Sequence, residues 1–122
     1  MSNQEIITTR VRQALTRLVS KVSAQVPSAF GSVSEHLVCG VPTVCASFLK
    51  SPEADTVDLC VQIEAVAGRL SVSADLVRGG SGEVFSEMPT VIIPENQNAE
   101  VALRTLEEYV QDQVDAIVRE TR

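Results

Sequence analysis

The chain has 122 residues and a formal net charge of −6, the length of a single domain spanning 1–122. Apolar residues make up 44%, and a chain of this size buries about two-thirds of its unfolded surface, so it can build its own core. Aromatics are only 3%, with no Trp, which argues against a stacking platform for bases or sugars. The acidic balance opposes nucleic acid.

The first twelve residues, MSNQEIITTRVR, hold no apolar stretch of the kind a signal peptide needs. The longest uncharged run, 36–49, is broken by Gly40 and Pro42 and falls short of the roughly twenty apolar residues of a membrane helix. These features lead us to expect a cytoplasmic protein, with no membrane partner and with reduced thiols. Three cysteines, Cys39, Cys45 and Cys60, cannot all pair within one chain.

Residues 4–26 read as an amphipathic helix. Ile7, Val11, Ala14, Leu15, Leu18 and Val22 recur at spacings of three and four and share one face. Ser2 and Glu5 have capping-box spacing, and Pro27 stops the helix. Arg10, Arg17 and Lys21 form a basic stripe beside the apolar face. Residues 28–42 are punctuated by Gly31, Gly40 and Pro42, and Ser34–Cys39 reads as a short strand or a single helical turn. The β-branched and aromatic content of 43–49 favours a strand. Residues 51–55 read as a loop.

The middle of the chain carries the strongest β signal. Val57, Leu59, Val61 and Ile63 alternate with Asp58, Cys60, Gln62 and Glu64. Beyond Ala67-Gly68, Leu70, Val72, Ala74 and Leu76 alternate with Ser71, Ser73, Asp75 and Val77. Two runs of period two around a glycine turn predict a hairpin with one buried face. Gly79–Gly82 is the next turn, followed by a strand over 83–93 that Pro89 bends or places on an edge. Pro94-Glu95-Asn96 then opens a last helix, capped by Asn96 or Asn98. Its apolar face is Ala99, Ala102, Leu103, Leu106, Val110, Val114 and Ile117. The order predicts an α+β two-layer sandwich: an antiparallel meander of four to five strands, with N-terminal and C-terminal amphipathic helices packed on one face.

That packing leaves the other sheet face open. It would carry Asp58, Cys60, Gln62, Glu64, Ser71, Ser73 and Asp75, expected either to be solvated or to bind a partner. Charge is unevenly placed. Residues 1–34 hold Arg10, Arg12, Arg17 and Lys21 against Glu5, a net of +3, which leaves 35–122 at −9. The basic stripe is expected to lie against the acid-rich flank of the last helix, and the remaining acid to steer a basic partner.

The expectation is therefore a small acidic, non-catalytic protein-binding module, of the adaptor, chaperone or inhibitor kind. It would use the open face or an edge strand to hold another protein or a second copy of itself. The competing expectation is a small-ligand protein or enzyme with a pocket near His36, Cys39 and Cys45. No cofactor motif is present. His36, Cys39, Cys45 and Cys60 are a zinc ligand set by type but not by spacing, so no metal is assigned. Ser47 and Lys50 match S-x-x-K, but at a strand end the two side chains point apart. Asp58, Glu64 and Asp75 on an open, wet face neither desolvate one another nor enclose a substrate.

Overall fold

The structure, a computed structural model, describes residues 2–51, 54–94 and 96–122. Pro52 and Glu53 of the expected 51–55 loop, and Glu95 of the expected helix opening, lie outside the described residues.

Helix α1 spans Asn3–Gln25. Ser2 caps it as its spacing predicts, its Oγ accepting from Glu5 N at 3.2 Å. All six residues of the predicted apolar face are buried, the five larger ones, Ile7, Val11, Leu15, Leu18 and Val22, worth about 1.5–3 kcal/mol each relative to exposure. Five strands follow: β1 (Phe30–Val38), β2 (Val41–Leu49), β3 (Val57–Val66), β4 (Arg69–Arg78) and β5 (Val84–Pro94). They pair in the order β1-β2-β3-β4-β5, each antiparallel to the next.

Two of the connections are two-residue turns with both residues at positive φ, Cys39-Gly40 (+52°, +82°) and Ala67-Gly68 (+48°, +78°). This is the type I′ geometry whose twist matches that of flanking strands. The β4–β5 turn closes through Gly82 N to Arg78 O and Arg78 N to Glu83 O, both 2.8 Å. A Cβ at Gly79 would collide with Thr56 Oγ1, so only glycine lets this turn lie against the start of β3.

Helices α1, α2 (Glu100–Asp112) and α3 (Val114–Thr121) pack on one sheet face. Phe48, Leu59, Val61, Ile63 and Leu76 from the sheet meet Ile7, Leu15, Leu18, Leu103, Leu106 and Ile117 in a single core. The two-layer α+β arrangement predicted from the sequence is the one observed.

Two local features differ from the sequence reading. The uncertain 28–42 segment supplies a full nine-residue strand. Its pattern was weak because β1 lies at the sheet edge and only Gly31 and Val33 are even half-buried. The last helix is broken at Gln113, whose N–H bonds Val110 O three residues back at 3.1 Å. Gln113 Nε2 takes over the Tyr109 carbonyl at 3.2 Å, so the break leaves that acceptor satisfied. The N-cap position of α2 is Ala99 rather than Asn96 or Asn98, and Asn98 Oδ1, one residue ahead of it, accepts from Glu100 N at 2.8 Å.

The basic stripe meets the C-terminal helix in part. Arg10 pairs with Glu107 (2.7 Å) and Glu100 (3.2 Å), and Lys21 bonds the amide oxygen of Gln111 rather than an acid. Arg12, off the stripe, pairs with Glu35 of β1 at 2.7 Å.

Candidate functional site

Period-two alternation sends every second side chain of the sheet away from the helices. On β3 and β4 these are the residues singled out from sequence, and the register sets them opposite one another. Asp58 faces Val77, Cys60 faces Asp75, Gln62 faces Ser73 and Glu64 faces Ser71. Gln62 and Glu64 are exposed; Asp58, Cys60, Ser71, Ser73 and Asp75 are half-buried. The same ladders continue outward. Ser34, Cys45, Cys60, Asp75 and Glu87 form one row across all five strands. Ser32, Ser47, Asp58, Val77 and Val84 form the row beside it. The sequence reading missed the contributions of β1 and β2, because 28–42 had no clear period and 43–49 reads as a near-continuous apolar run.

An open groove of about 170 Å³ crosses this face between Cys60, Gln62, Ser73, Asp75, Glu87 and Thr90. It lies where the β4–β5 register shifts between Val72 and Ala74, a local bend of the kind a bulge produces. Burial, and secondarily the neighbouring Glu87, push the Asp75 carboxyl above the usual carboxylate range. Asp58 Oδ2 accepts from Thr56 Oγ1 at 3.1 Å, while its Oδ1 is shielded from solvent without a hydrogen-bond partner among the described residues.

The sheet edges are unlike each other. Strand β5 carries Pro89 and Pro94 and two register shifts against β4, devices that discourage further strand pairing. Strand β1 has none of these over nine residues, FGSVSEHLV. Phe30, Leu37 and Val38 along it are 68%, 69% and 38% exposed.

The two-residue turn fixes which backbone groups of β1 are already used. The closing pair Val38–Val41 of such a turn is hydrogen-bonded, and bonded pairs then alternate. His36–Thr43, Ser34–Cys45, Ser32–Ser47 and Phe30–Leu49 are therefore bonded pairs in this register. The amides and carbonyls of Gly31, Val33, Glu35 and Leu37 point away from the sheet. Pro42 fits this phase, since it lies opposite Leu37 in a position that asks for no N–H from it.

The three residues of the competing pocket do not line one cavity. His36 lines a shallow cleft of about 250 Å³ with Thr8, Glu35, Leu37, Pro42, Thr43 and Val44, which neither Cys39 nor Cys45 lines. Cys39 is exposed in the β1–β2 turn, while Cys45 is 4% exposed on the sheet with its Sγ 3.9 Å from His36 Nε2. Among the described residues, no group of three or more His, Cys, Asp or Glu is placed to hold a metal ion. No helix among them is long and apolar enough to cross a membrane.

Fold and site together define an α+β protein whose helices cover one sheet face, leaving the second face open and one sheet edge unguarded. Comparison with known proteins finds no matching family model, curated protein or solved structure.

Proposed function

We propose that this chain is a small, acidic, non-catalytic protein-binding module of the cytoplasm, and that strand β1 is its docking element. The observation that carries this reading is the contrast between a β5 edge guarded by prolines and register shifts and a β1 edge with four residues' hydrogen-bonding groups facing outward. An extended segment laid antiparallel along β1 would satisfy those groups and extend the sheet. Exposed Phe30, Leu37 and Val38 would supply apolar contact. Asp58 and Glu64 lie three strand spacings from the added strand and Asp75 four, about 14–19 Å. They would act on it through charge rather than contact, favouring a basic partner.

A second copy of the chain also fits this edge. With Ser34 on a two-fold axis, Gly31 of one copy faces Leu37 of the other, Val33 faces Glu35, and Phe30 faces Val38. Outward-pointing groups then meet outward-pointing groups, as an isologous contact requires.

The test uses Leu37→Pro, which removes an outward N–H, with Val101→Asp as a control on the exposed surface of α2. Sedimentation of the pure chain reads self-association, and affinity capture from the source organism reads other partners. The proposal expects Leu37→Pro to weaken complex formation at least about tenfold, the worth of one or two hydrogen bonds, with Val101→Asp unchanged. Binding that survives Leu37→Pro intact overturns it.

A further inference from the structure

We propose that Cys45 and Cys60 form a modification site, a dithiol that peroxide converts reversibly to a cross-strand disulfide linking β2 to β3. Register and hydrogen-bond phase carry this inference. Cys45 and Cys60 are direct partners in the β2–β3 pairing, with both side chains on the open face. Counting from the Cys39-Gly40 turn, Cys45 directs its backbone groups at Ser34 of β1. Counting independently from the Ala67-Gly68 turn, Cys60 directs its own at Asp75 of β4. Neither backbone is aimed at the other, so Cys45–Cys60 is a non-hydrogen-bonded pair. The Cα atoms of such pairs stand about 4.5 Å apart, within the roughly 4.4–6.8 Å that disulfides span. The bridge therefore forms without moving the strands.

The surroundings suit the chemistry. A hydrogen bond from the Cys60 thiol favours the thiolate of Cys45, outweighing the opposing effects of burial, Asp58 and Asp75. The same hydrogen bond, with burial, keeps Cys60 protonated. His36 Nε2, 3.9 Å from Cys45 Sγ, is within hydrogen-bonding reach of that sulfur.

In the first step the Cys45 thiolate attacks one oxygen of hydrogen peroxide. An S–O bond forms and the O–O bond breaks. Hydroxide leaves and takes up the proton that Cys45 released, giving water. In the second step Cys60 sulfur attacks Cys45 sulfur. The S–S bond forms, the S–O bond breaks, and the hydroxyl departs with the Cys60 proton as a second water. Two thiols and one peroxide give one disulfide and two waters, the two sulfurs supplying the two electrons. A dithiol reductant reverses the change by exchange.

The test uses full-length Cys39→Ser, which removes the exposed thiol. The folded protein is treated with hydrogen peroxide, quenched, denatured, alkylated and weighed intact. The expected product is lighter by two hydrogens, about 2 Da, with neither remaining cysteine alkylated and a Cys45–Cys60 link in the peptide map. Its Tm rises by about 5–15 °C, and dithiothreitol abolishes the rise. With Cys60→Ser added, Cys45 gains one oxygen, about 16 Da, and no bridge forms. Full alkylation of both cysteines after treatment overturns the proposal. So does stepwise oxygen addition without a bridge in the Cys39→Ser protein, or bridging no faster when folded than in denaturant.

Discussion

Proline at adjacent positions of β1 tests the hydrogen-bond phase on which both proposals rest. Leu37 lies opposite Pro42 and is 69% exposed. In the assigned phase its N–H faces solvent, so Leu37→Pro removes no ladder bond. What remains is a small change in contact and backbone fit, partly offset by a stiffer unfolded chain, within about 1 kcal/mol. His36 lies opposite Thr43, which is only 3% exposed. His36→Pro removes a ladder bond worth about 1 kcal/mol and strands the Thr43 carbonyl, at a further 1–3 kcal/mol or so. The expected loss is about 2–4 kcal/mol, a fall in Tm on the order of 10 °C against a few degrees at most for Leu37→Pro. Urea titration and thermal melts of the two variants measure this directly. Equal losses, or a larger loss for Leu37→Pro, would refute the phase, and with it the outward set Gly31, Val33, Glu35 and Leu37.

Three further outcomes follow from the packing. Phe48→Ala, in the centre of the core at 1% exposure, should cost about 3–5 kcal/mol in chemical denaturation. Gln113→Ala removes the amide that satisfies the Tyr109 carbonyl at the α2–α3 break and should cost about 1 kcal/mol by the same assay. Asp75 has a raised folded-state pKa, from burial first and Glu87 second. Its contribution to stability is thus intact in acid and is lost as pH rises through that pKa. Asp75→Asn should therefore stabilise the protein at pH 7 by no more than about 1 kcal/mol after solvent screening. The gain should vanish near pH 3, as melts across that range would show.

Much of the fold is legible in the sequence because its signals are local and redundant. The α1 face at Ile7, Val11, Leu15, Leu18 and Val22 repeats over about four turns, and Ser2 and Pro27 mark the limits of the helix. The β3–β4 hairpin shows in eight alternating positions around Ala67-Gly68. For that reason the alternation alone puts Asp58, Cys60, Gln62, Glu64, Ser71, Ser73 and Asp75 on one sheet face. The same logic fails where burial is one-sided or incomplete. In β1 the edge position exposes Phe30, Leu37 and Val38, so hydropathy alone gives no period. In β2, Thr43 to Ala46 are buried on both faces, Cys45 lying between Ser34 and Cys60, which erases the alternation. The Cys45–Cys60 pairing joins positions fifteen apart through the register of two strands and has no local signature. The break at Gln113 escapes notice because glutamine suits a helix interior, and its tertiary signs, the N–H bond to Val110 O and the side-chain bond to Tyr109 O, leave no mark in the sequence pattern.

Amide hydrogen exchange along β1, resolved residue by residue in the isolated chain and in its complex, tests the docking proposal most directly. In the isolated chain, Ser32, Ser34, His36 and Val38 should be protected while Gly31, Val33, Glu35 and Leu37 exchange freely. On complex formation the second set should slow to match the first. The account is contradicted if Gly31, Val33, Glu35 and Leu37 keep exchanging freely while new protection gathers on β3 and β4.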